Sequence, residues 1–183
     1  LLKTMILDQA QFESRAEPIQ VLLSDVDGVL TDGKLIYSSD GHESKAFHVR
    51  DGLAIKLWRR CDFSFGLITA RESECVARRG DELGVDFLLQ KRSDKLKAIR
   101  EITQSLGLAL ENVCYIGDDL HDLAAIEAVG LGATVADAAP EIQAAAVFQT
   151  QQNGGGGALR ELVELLLKTK GLWNTLLSSF SNG

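Results

Sequence analysis

Three aspartates and two glycines lie within nine positions in the stretch DVDGVLTDG, residues 25–33, directly after an apolar run. Carboxylates at the end of a buried strand repel one another and are costly to desolvate, so they need a counter-ion or a chemical task. Asp25 and Asp27 are two positions apart, and alternate residues of a strand face the same side. Both carboxylates can therefore converge on one pocket. Oxygen-only ligands of this kind favour Mg²⁺.

Other polar residues stand at the ends of later apolar runs. Thr69 ends the run FSFGLIT, Asp118 and Asp119 follow VCYIG, and Lys95 begins a segment of helical period. A hydroxyl and an ammonium group supply the hydrogen bonds and charge that a phosphoryl group requires. Asp25 is then a candidate nucleophile, because a metal ion and a lysine would keep it ionised and oriented.

Strands and helices alternate in the predicted order of elements. Strands are predicted at 21–24, 63–69, 85–89, 113–117, 132–136 and 147–150, and helices at 53–60, 72–83, 94–106, 123–129, from Pro140 and at 158–168. This alternation predicts an α/β fold, a Rossmann-like doubly wound parallel sheet covered on both faces. Ligands of such sheets bind at the carboxyl ends of the strands, where the candidate residues stand.

Composition limits the class of protein. The 183 residues fit one domain, and the net charge of −7 disfavours nucleic acid as a partner. No apolar run approaches the roughly 20 residues of a membrane span, so no membrane partner is expected. Three cysteines without a C-x-x-C pair indicate reduced thiols in a cytoplasmic protein. We expect a candidate flexible extension at 1–18 without a signal peptide, a domain at 19–170 and a tail at 171–183.

Four stretches, DVDGVLTDG, LITAR, DK at 94–95 and GDDLHDL, stand in the order of the four haloacid dehalogenase (HAD) motifs. Three more, AFHVRDG at 46–52, VADAAPE at 135–141 and GGGGALRE at 154–161, resemble a small capless branch, the 3-deoxy-D-manno-octulosonate (KDO) 8-phosphate phosphatases. The resemblance spans about residues 19–170. It implies a HAD-like, capless, Mg²⁺-dependent phosphatase acting on a phosphorylated sugar acid, in a step toward lipopolysaccharide or a related polymer.

The resemblance also implies roles for individual residues. Asp25 would attack phosphorus and carry an aspartyl-phosphate, and Asp27 would be the general acid and base. Mg²⁺ would lie between the Asp25 carboxylate, the Asp27 backbone carbonyl and Asp118. Thr69 and Lys95 would bind the phosphoryl group. Asp119 and Asp122 either support these residues or cap the following helix.

A hairpin at about 34–49, with Asp40-Gly41 at its turn, takes the place of a cap domain. A lone two-stranded hairpin is marginal in water, so its apolar residues Leu35, Tyr37, Phe47 and Val49 are expected to pack on the same hairpin of a neighbouring subunit. The resemblance implies a homotetramer in which the neighbour covers the site.

Substrate contacts are implied for two further groups of residues. They are the expected loop His48, Val49, Arg50, Asp51 and Gly52, and the basic residues Lys56, Arg71 and Arg79. Guanidinium groups pair with carboxylates through two hydrogen bonds, which suits an acidic sugar.

Five departures from the family pattern bear on sugar selectivity: His48, Ala70, Lys91, Ala139 and Gly156. The alternative substrate is a sialic-acid-like 9-phosphate sugar, and the alternative class is a non-catalytic oligomeric partner on a HAD scaffold. Two minor features are also open: His121 is expected to be an exposed helix residue, and the glycines at 154–157 either follow the branch's pattern or form a flexible linker.

Overall fold

The computed structural model describes residues 8–181, in which eight strands and eight α-helices are found. The first seven residues of the expected N-terminal extension and the last two of the tail lie outside the described residues. The strands are β1 (Val21–Ser24), β2 (Ile36–Tyr37), β3 (Glu43–Ser44), β4 (Ser64–Ile68), β5 (Phe87–Leu89), β6 (Val113–Gly117), β7 (Leu131–Thr134) and β8 (Phe148–Gln149). The helices are α1 (Gln9–Ala16), α2 (Val49–Arg59), α3 (Glu74–Leu83), α4 (Lys95–Leu106), α5 (Leu123–Ala128), α6 (Pro140–Ala145), α7 (Ala158–Thr169) and α8 (Trp173–Ser181).

Six of the strands form one parallel sheet in the order β5-β4-β1-β6-β7-β8. Strand β1 lies between β4 and β6, and all four of its residues are buried. Its run Val21-Leu22-Leu23 is uninterruptedly apolar because a parallel sheet is covered on both faces. The predicted α/β fold with a doubly wound parallel sheet is confirmed.

Two helix starts lie next to the ends of strands and fix the residues around them. Ser73 caps α3, with its Oγ accepting from the backbone nitrogen of Val76 at 3.4 Å. Asp94 caps α4, with Oδ1 accepting from the backbone nitrogen of Lys97 at 2.9 Å. Such caps satisfy amide groups that have no partner within the helix. They hold Lys95 at the first position of α4.

The segment from His48 to Gly52, expected as a loop, is instead the start of α2. His48 is its N-cap, and its Nδ1 accepts a hydrogen bond from the backbone nitrogen of Arg50 at 3.2 Å. Val49 therefore belongs to a helix and not to the hairpin, whose strands are the two-residue β2 and β3. Phe47, expected on an exposed hairpin face, is partly buried against the core of its own chain.

Both terminal helices pack on the domain. Phe12 of α1 is buried, with its ring centroid 5.5 Å from that of Phe148. Trp173 and Leu176 of α8 are buried as well. None of the helices between residues 8 and 181 has the length and apolar character needed to cross a bilayer.

Candidate active site

The carboxyl ends of β1, β4 and β6 surround a cavity of about 340 Å³. Asp25 follows β1, and its backbone nitrogen donates to the carbonyl of Ile116 on β6 at 3.0 Å, which extends the sheet to the site itself. The cavity is lined by Asp25, Asp27, Gly33, Thr69, Ala70, Arg71, Lys95, Asp118, Asp119, His121 and Asp122. The structure thus brings together all seven residues expected for chemistry, metal binding and their support.

Lys95 lies at the centre of this group. Its side chain is 1% exposed, and its Nζ lies 2.9 Å from Asp25 Oδ1 and 3.5 Å from Asp122 Oδ1. It also donates to the backbone carbonyl of Ile68 at 2.7 Å. A buried ammonium group is tolerated only when it is paired and hydrogen-bonded. The ammonium group of Lys95 therefore contacts the ends of β1 and β4 and the segment after β6, and holds the three together.

Asp122 is fully buried, and both of its carboxylate oxygens are engaged. Oδ1 accepts from the hydroxyl of Tyr115 at 2.5 Å, and Oδ2 accepts from the backbone nitrogens of Asp118 and Asp119 at 2.9 and 3.2 Å. Asp119 in turn accepts from the backbone nitrogen of Leu120 at 2.7 Å. Asp122 therefore both supports the acidic cluster and caps the turn that carries Asp118.

Burial sets the proton affinity of the two acids at the cavity floor. It raises the pKa of Asp25 to about 6, against the charge of Lys95, which lowers it. Burial also raises the pKa of Asp118 to about 7, and the charges of Asp25 and Asp122 add to the effect. These raised pKa values mean that the protein alone does not offset the negative charges of the two carboxylates. A bound cation would stabilise their charged forms.

Carboxylate oxygens of Asp25, Asp118 and Asp122 lie within 4.8 Å of one another, a spacing that fits a metal ion. All three residues line the cavity, but both oxygens of Asp122 already accept from protein donors, so Asp25 and Asp118 are the better candidates for metal ligands. Gly28 has a left-handed φ of 87°, and a Cβ there would collide with the Asp118 carboxylate. The approach of the loop after β1 to Asp118 therefore requires glycine. The donor set and the packing fit Mg²⁺, which favours oxygen ligands and retains water.

Thr69 and Arg71 follow β4 on the wall of the cavity. Thr69 is buried, and its Oγ1 accepts from the backbone nitrogen of Arg71 at 3.2 Å. The guanidinium Nη2 of Arg71 donates to the hydroxyl of Tyr37 at 2.8 Å and to Glu43 Oε1 at 3.0 Å. Its Nε lies 3.6 Å from Asp27 Oδ2. Arg71 therefore connects the hairpin to the cavity.

Of the residues expected to contact substrate, all of which are described, Arg71 alone lines this cavity. Asp51 and Gly52 are buried within their own chain, so their surroundings do not support direct substrate contact. Arg79 pairs with Glu82 at 2.8 Å and lies over the ring of Phe47, 5.8 Å from its centroid. The remaining four lie outside the cavity of their own chain: His48, Val49, Arg50 and Lys56.

Two residues near the cavity were not expected there. The ammonium group of Lys45, directly after β3, contacts the carboxylate of Asp27, and its side chain is 1% exposed. His121 is exposed but lines the cavity. A lysine in a polar hairpin has no local signal of burial, and its contact with Asp27 is visible only once the hairpin is folded onto the sheet. The position of His121 within GDDLHDL was the available signal for it.

The glycine run packs directly against the loop after β1. Gly155 has a φ of 67° and donates from its backbone nitrogen to the carbonyl of Val29 at 2.9 Å. A Cβ at Gly154 would collide with the carbonyl of Gly28. Gly154 also donates to Asp137 Oδ1 at 2.9 Å. The run is therefore a packed, hydrogen-bonded segment behind the cavity.

Among the departures from the family pattern, Lys91 has a clear backbone consequence. It adopts a φ of 57°, in the left-handed region that favours glycine. Ala70 is exposed on the cavity wall, so its methyl group is accommodated without repacking.

Comparison with known proteins gives the same picture. Residues 68–162 match the haloacid dehalogenase-like hydrolase family. The chain is 43% identical over 158 residues to the 3-deoxy-D-manno-octulosonate 8-phosphate phosphatase KdsC of Escherichia coli K12, covering 86% of this chain and 84% of the relative. A KdsC from Salmonella typhi is 42% identical over 158 residues, with the same coverage of both chains.

Solved structures agree with these matches. The 3-deoxy-D-manno-octulosonate 8-phosphate phosphatase of Moraxella catarrhalis, in complex with magnesium, phosphate and KDO, superposes with a TM-score of 0.92 at 38% identity, covering 94% of this chain and 99% of that one. A cobalt-bound phosphatase from Haemophilus influenzae gives 0.84 at 36% identity, covering 87% and 93%. The chain therefore belongs to the haloacid dehalogenase-like hydrolases, among the relatives of the 3-deoxy-D-manno-octulosonate 8-phosphate phosphatases.

Proposed function

We propose that this protein is a Mg²⁺-dependent phosphatase that hydrolyses KDO 8-phosphate to KDO and inorganic phosphate. The observation that carries the proposal is the cluster of Asp25 and Asp118, at the ends of the adjacent parallel strands β1 and β6, with Lys95 from the start of α4, in a chain 43% identical to a phosphatase of that specificity. The reaction would take place in the cytoplasm, as a step toward lipopolysaccharide or a related KDO-containing polymer.

The first half-reaction transfers the phosphoryl group to the protein. An Oδ atom of Asp25 attacks phosphorus, the bond from phosphorus to the sugar oxygen breaks, and Asp27 gives its proton to that oxygen. Lys95, 2.9 Å from Asp25 Oδ1, orients the nucleophile and offers positive charge to the phosphoryl oxygens. Thr69, which lines the cavity, would offer its hydroxyl to the same oxygens.

The second half-reaction restores the nucleophile. Asp27, now a carboxylate, takes a proton from water while the water oxygen attacks the phosphorus of the aspartyl-phosphate. The bond from phosphorus to Asp25 breaks, which releases phosphate and returns the Asp25 carboxylate. Uncatalysed phosphate monoesters are so slow to hydrolyse that the site must lower the barrier by on the order of 20 kcal/mol or more.

Mg²⁺ would be held by the Asp25 carboxylate, Asp118 and the Asp27 backbone carbonyl, and when bound it neutralises negative charge on the phosphoryl group. Asp122 holds the backbone of Asp118 and Asp119 in place for this purpose, through the two amide hydrogen bonds of its Oδ2.

The sugar end of the substrate would be bound by Arg71 and by residues of a neighbouring subunit in a homotetramer. Leu35, Ile36 and Tyr37 of the hairpin are 48%, 51% and 57% exposed, which is unusual for adjacent large apolar residues and typical of an interface. Val49 is 78% exposed at the start of α2. Four of the basic or polar residues expected to contact substrate do not line the cavity of their own chain: His48, Arg50, Lys56 and Arg79. We therefore assign any substrate contact that they make to the site of a neighbouring subunit.

A sialic-acid-like 9-phosphate is the second candidate substrate, because Arg71 would pair with the carboxylate of either sugar acid. A non-catalytic role on the same scaffold is disfavoured by the buried Lys95–Asp25 pair, since a chain without catalysis has no need to keep this costly arrangement.

The test is phosphate release from KDO 8-phosphate, a sialic-acid-type 9-phosphate and neutral sugar phosphates, each with Mg²⁺ and with a chelator. We expect the highest kcat/KM for KDO 8-phosphate, and none without metal. Asp25→Asn is the matched control, because a carboxamide of the same shape cannot form the aspartyl-phosphate. Higher kcat/KM for the 9-phosphate would reassign the substrate, and turnover by Asp25→Asn would remove Asp25 as nucleophile.

A further inference from the structure

Lys45 is a charged side chain that the chemistry described so far leaves without a role. It stands directly after β3, at the base of the hairpin, and only 1% of its side chain is exposed. Its Nζ contacts Asp27 Oδ1 and lies 3.6 Å from Glu43 Oε1. Burying a lysine is costly unless carboxylates compensate it, so this placement is specific to Asp27 and Glu43.

The two oxygens of Asp27 differ in their surroundings. Oδ1 accepts the hydrogen bond from Lys45. Oδ2 is buried and has no hydrogen-bond partner within residues 8–181. The nearby Nε of Arg71, 3.6 Å away, is likewise buried and without a partner in the described part of the chain. An acceptor and a donor without partners in the described part of the chain thus lie side by side in two residues that line the cavity.

The position of Lys45 depends on how the hairpin is attached. The strands of the hairpin are two residues each, too short to fix it by themselves. Polar contacts hold it to the body of the domain: Glu43 accepts from Arg71 at 3.0 Å and from the hydroxyl of Ser73. Because these contacts surround Lys45, the orientation of the Asp27 side chain is set by the docked hairpin.

We infer that Lys45 is a positioning residue for proton transfer: it fixes Asp27 through Oδ1 and so leaves Oδ2 as the atom that exchanges the proton. The inference rests on the proposed function of Asp27. As the Asp25–phosphorus bond forms and the phosphorus–sugar oxygen bond breaks, the sugar oxygen takes the proton from Asp27 Oδ2. A side chain free to rotate would spend less time in the geometry that this transfer needs.

The inference predicts an effect that depends on the leaving group. A sugar alkoxide must be protonated as it leaves, whereas p-nitrophenolate leaves without a proton at neutral pH. The measurement is kcat/KM, which reports the steps up to transfer to Asp25 and excludes hydrolysis of the aspartyl-phosphate. Lys45→Met should lower kcat/KM for KDO 8-phosphate by about 10- to 100-fold and for p-nitrophenyl phosphate by less than about threefold.

A double-mutant cycle shows whether Lys45 acts through Asp27. Asp27→Asn alone should show the same selective loss on the sugar phosphate, and Lys45→Met should add little in the Asp27→Asn background. Lys45→Arg, which keeps a donor, should recover part of the activity. The control is Lys34→Met, which removes a lysine paired with Asp32 at 2.7 Å on the exposed surface and should leave both substrates unchanged.

Equal losses on both substrates, a rise in KM with kcat unchanged, or additive effects in the cycle would each overturn the role of Lys45. If Lys45→Met does not fold, as judged by circular dichroism, Lys45→Gln and Lys45→Arg carry the same comparison. If the proposed function were wrong, wild-type protein would show no preference for the sugar-acid phosphate. The role of Lys45 could still be tested then, by comparing the loss of activity on a simple alkyl phosphate with the loss on p-nitrophenyl phosphate.

Discussion

Asp51, in the first turn of α2, caps the start of another helix: its Oδ1 accepts a hydrogen bond from the backbone nitrogen of Arg160, in the first turn of α7, at 2.8 Å. Helix α7 follows the glycine run, which lies against the loop carrying Asp27 and Gly28. The Oδ2 of Asp51 is buried and has no hydrogen-bond partner within residues 8–181, and burial raises the pKa of this carboxyl group.

This relationship predicts different effects for two substitutions at Asp51. Asp51→Ala should lower the free energy of unfolding by about 1–2 kcal/mol, the usual loss for an N-terminal cap. Asp51→Asn should retain most of the stability and of the activity, because its side-chain carbonyl still accepts from Arg160. Denaturant unfolding and steady-state kinetics check this, with the exposed Glu127→Ala as the control. A rise in KM that is as large for Asn as for Ala would indicate a charge contact with substrate.

Stability should depend on pH and Mg²⁺ in a linked way. The raised pKa values, about 6 for Asp25 and about 7 for Asp118 against an ordinary 3.8, mean that the metal-free folded chain holds protons more tightly than the unfolded chain. The resulting stabilisation is present at low pH and is lost as pH rises through these values. Metal-free protein should therefore lose stability from about pH 4 to about pH 7 through this contribution, while the stabilisation by Mg²⁺ grows over the same range.

Thermal unfolding with and without Mg²⁺ across this pH range provides the measurement, and Asp118→Asn provides the matched variant. The variant should lose most of the Mg²⁺-dependent shift in Tm and show a shallower pH dependence without metal. A shift in Tm that is unchanged in Asp118→Asn would place the cation elsewhere.

Removing the charge of Lys95 should damage both stability and catalysis. Lys95→Met leaves Asp25 and Asp122 buried without their cation, so we expect a loss of about 3–5 kcal/mol in the free energy of unfolding and no measurable turnover. Adding Asp122→Asn should restore part of the stability, because one buried charge is gone, but not the activity. Denaturant unfolding measures the effect on stability, and phosphate release measures the effect on catalysis. Wild-type stability of the Lys95→Met variant would contradict the electrostatic account.

The exposed apolar residues of the hairpin predict an effect of assembly on activity. Ile36→Asp places a charge on a residue that is 51% exposed, where burial against a neighbour would make that charge costly. We expect a smaller particle in light scattering and a greater loss of activity on KDO 8-phosphate than on p-nitrophenyl phosphate. Leu106→Asp, at a 38% exposed position on α4, is the control and should change neither. Wild-type protein that is monomeric at micromolar concentration yet fully active on the sugar would contradict the expected assembly.

The floor of the site was predictable from sequence because it follows from local pattern and topology. Apolar runs mark β1, β4 and β6, and parallel strands bring their carboxyl ends to one edge, so Asp25, Thr69 and Asp118 had to meet. Helical period likewise predicted α3 and α4, with starts at 72 and 94 against the observed Glu74 and Lys95. These inferences need no knowledge of distant contacts.

The walls of the site could not be obtained in this way. The sequence around Lys45 predicts a solvent-exposed lysine, because its partner Asp27 is distant along the chain. The first turn of α2 was missed because Val49 and Gly52 are weak helix formers, and helical period becomes visible only from Leu53. The substrate contact of Asp51 was implied only by the resemblance, and its partner at the start of α7 is too remote in sequence to have been foreseen.

The loop after β1, the glycine run and the side chain of Asp118 meet behind the cavity with no room for one methyl group. A Cβ at Gly28 would strike Asp118, and a Cβ at Gly154 would strike the carbonyl of Gly28. Alanine at Gly28 would therefore have to adopt a left-handed φ and displace the Asp118 carboxylate, and alanine at Gly154 would have to displace the loop that carries Asp27 and Gly28. Substitutions in related chains should therefore be tolerated at the rim of the cavity, as at Ala70. They should not be tolerated at Gly28 and Gly154, whichever sugar the chain accepts.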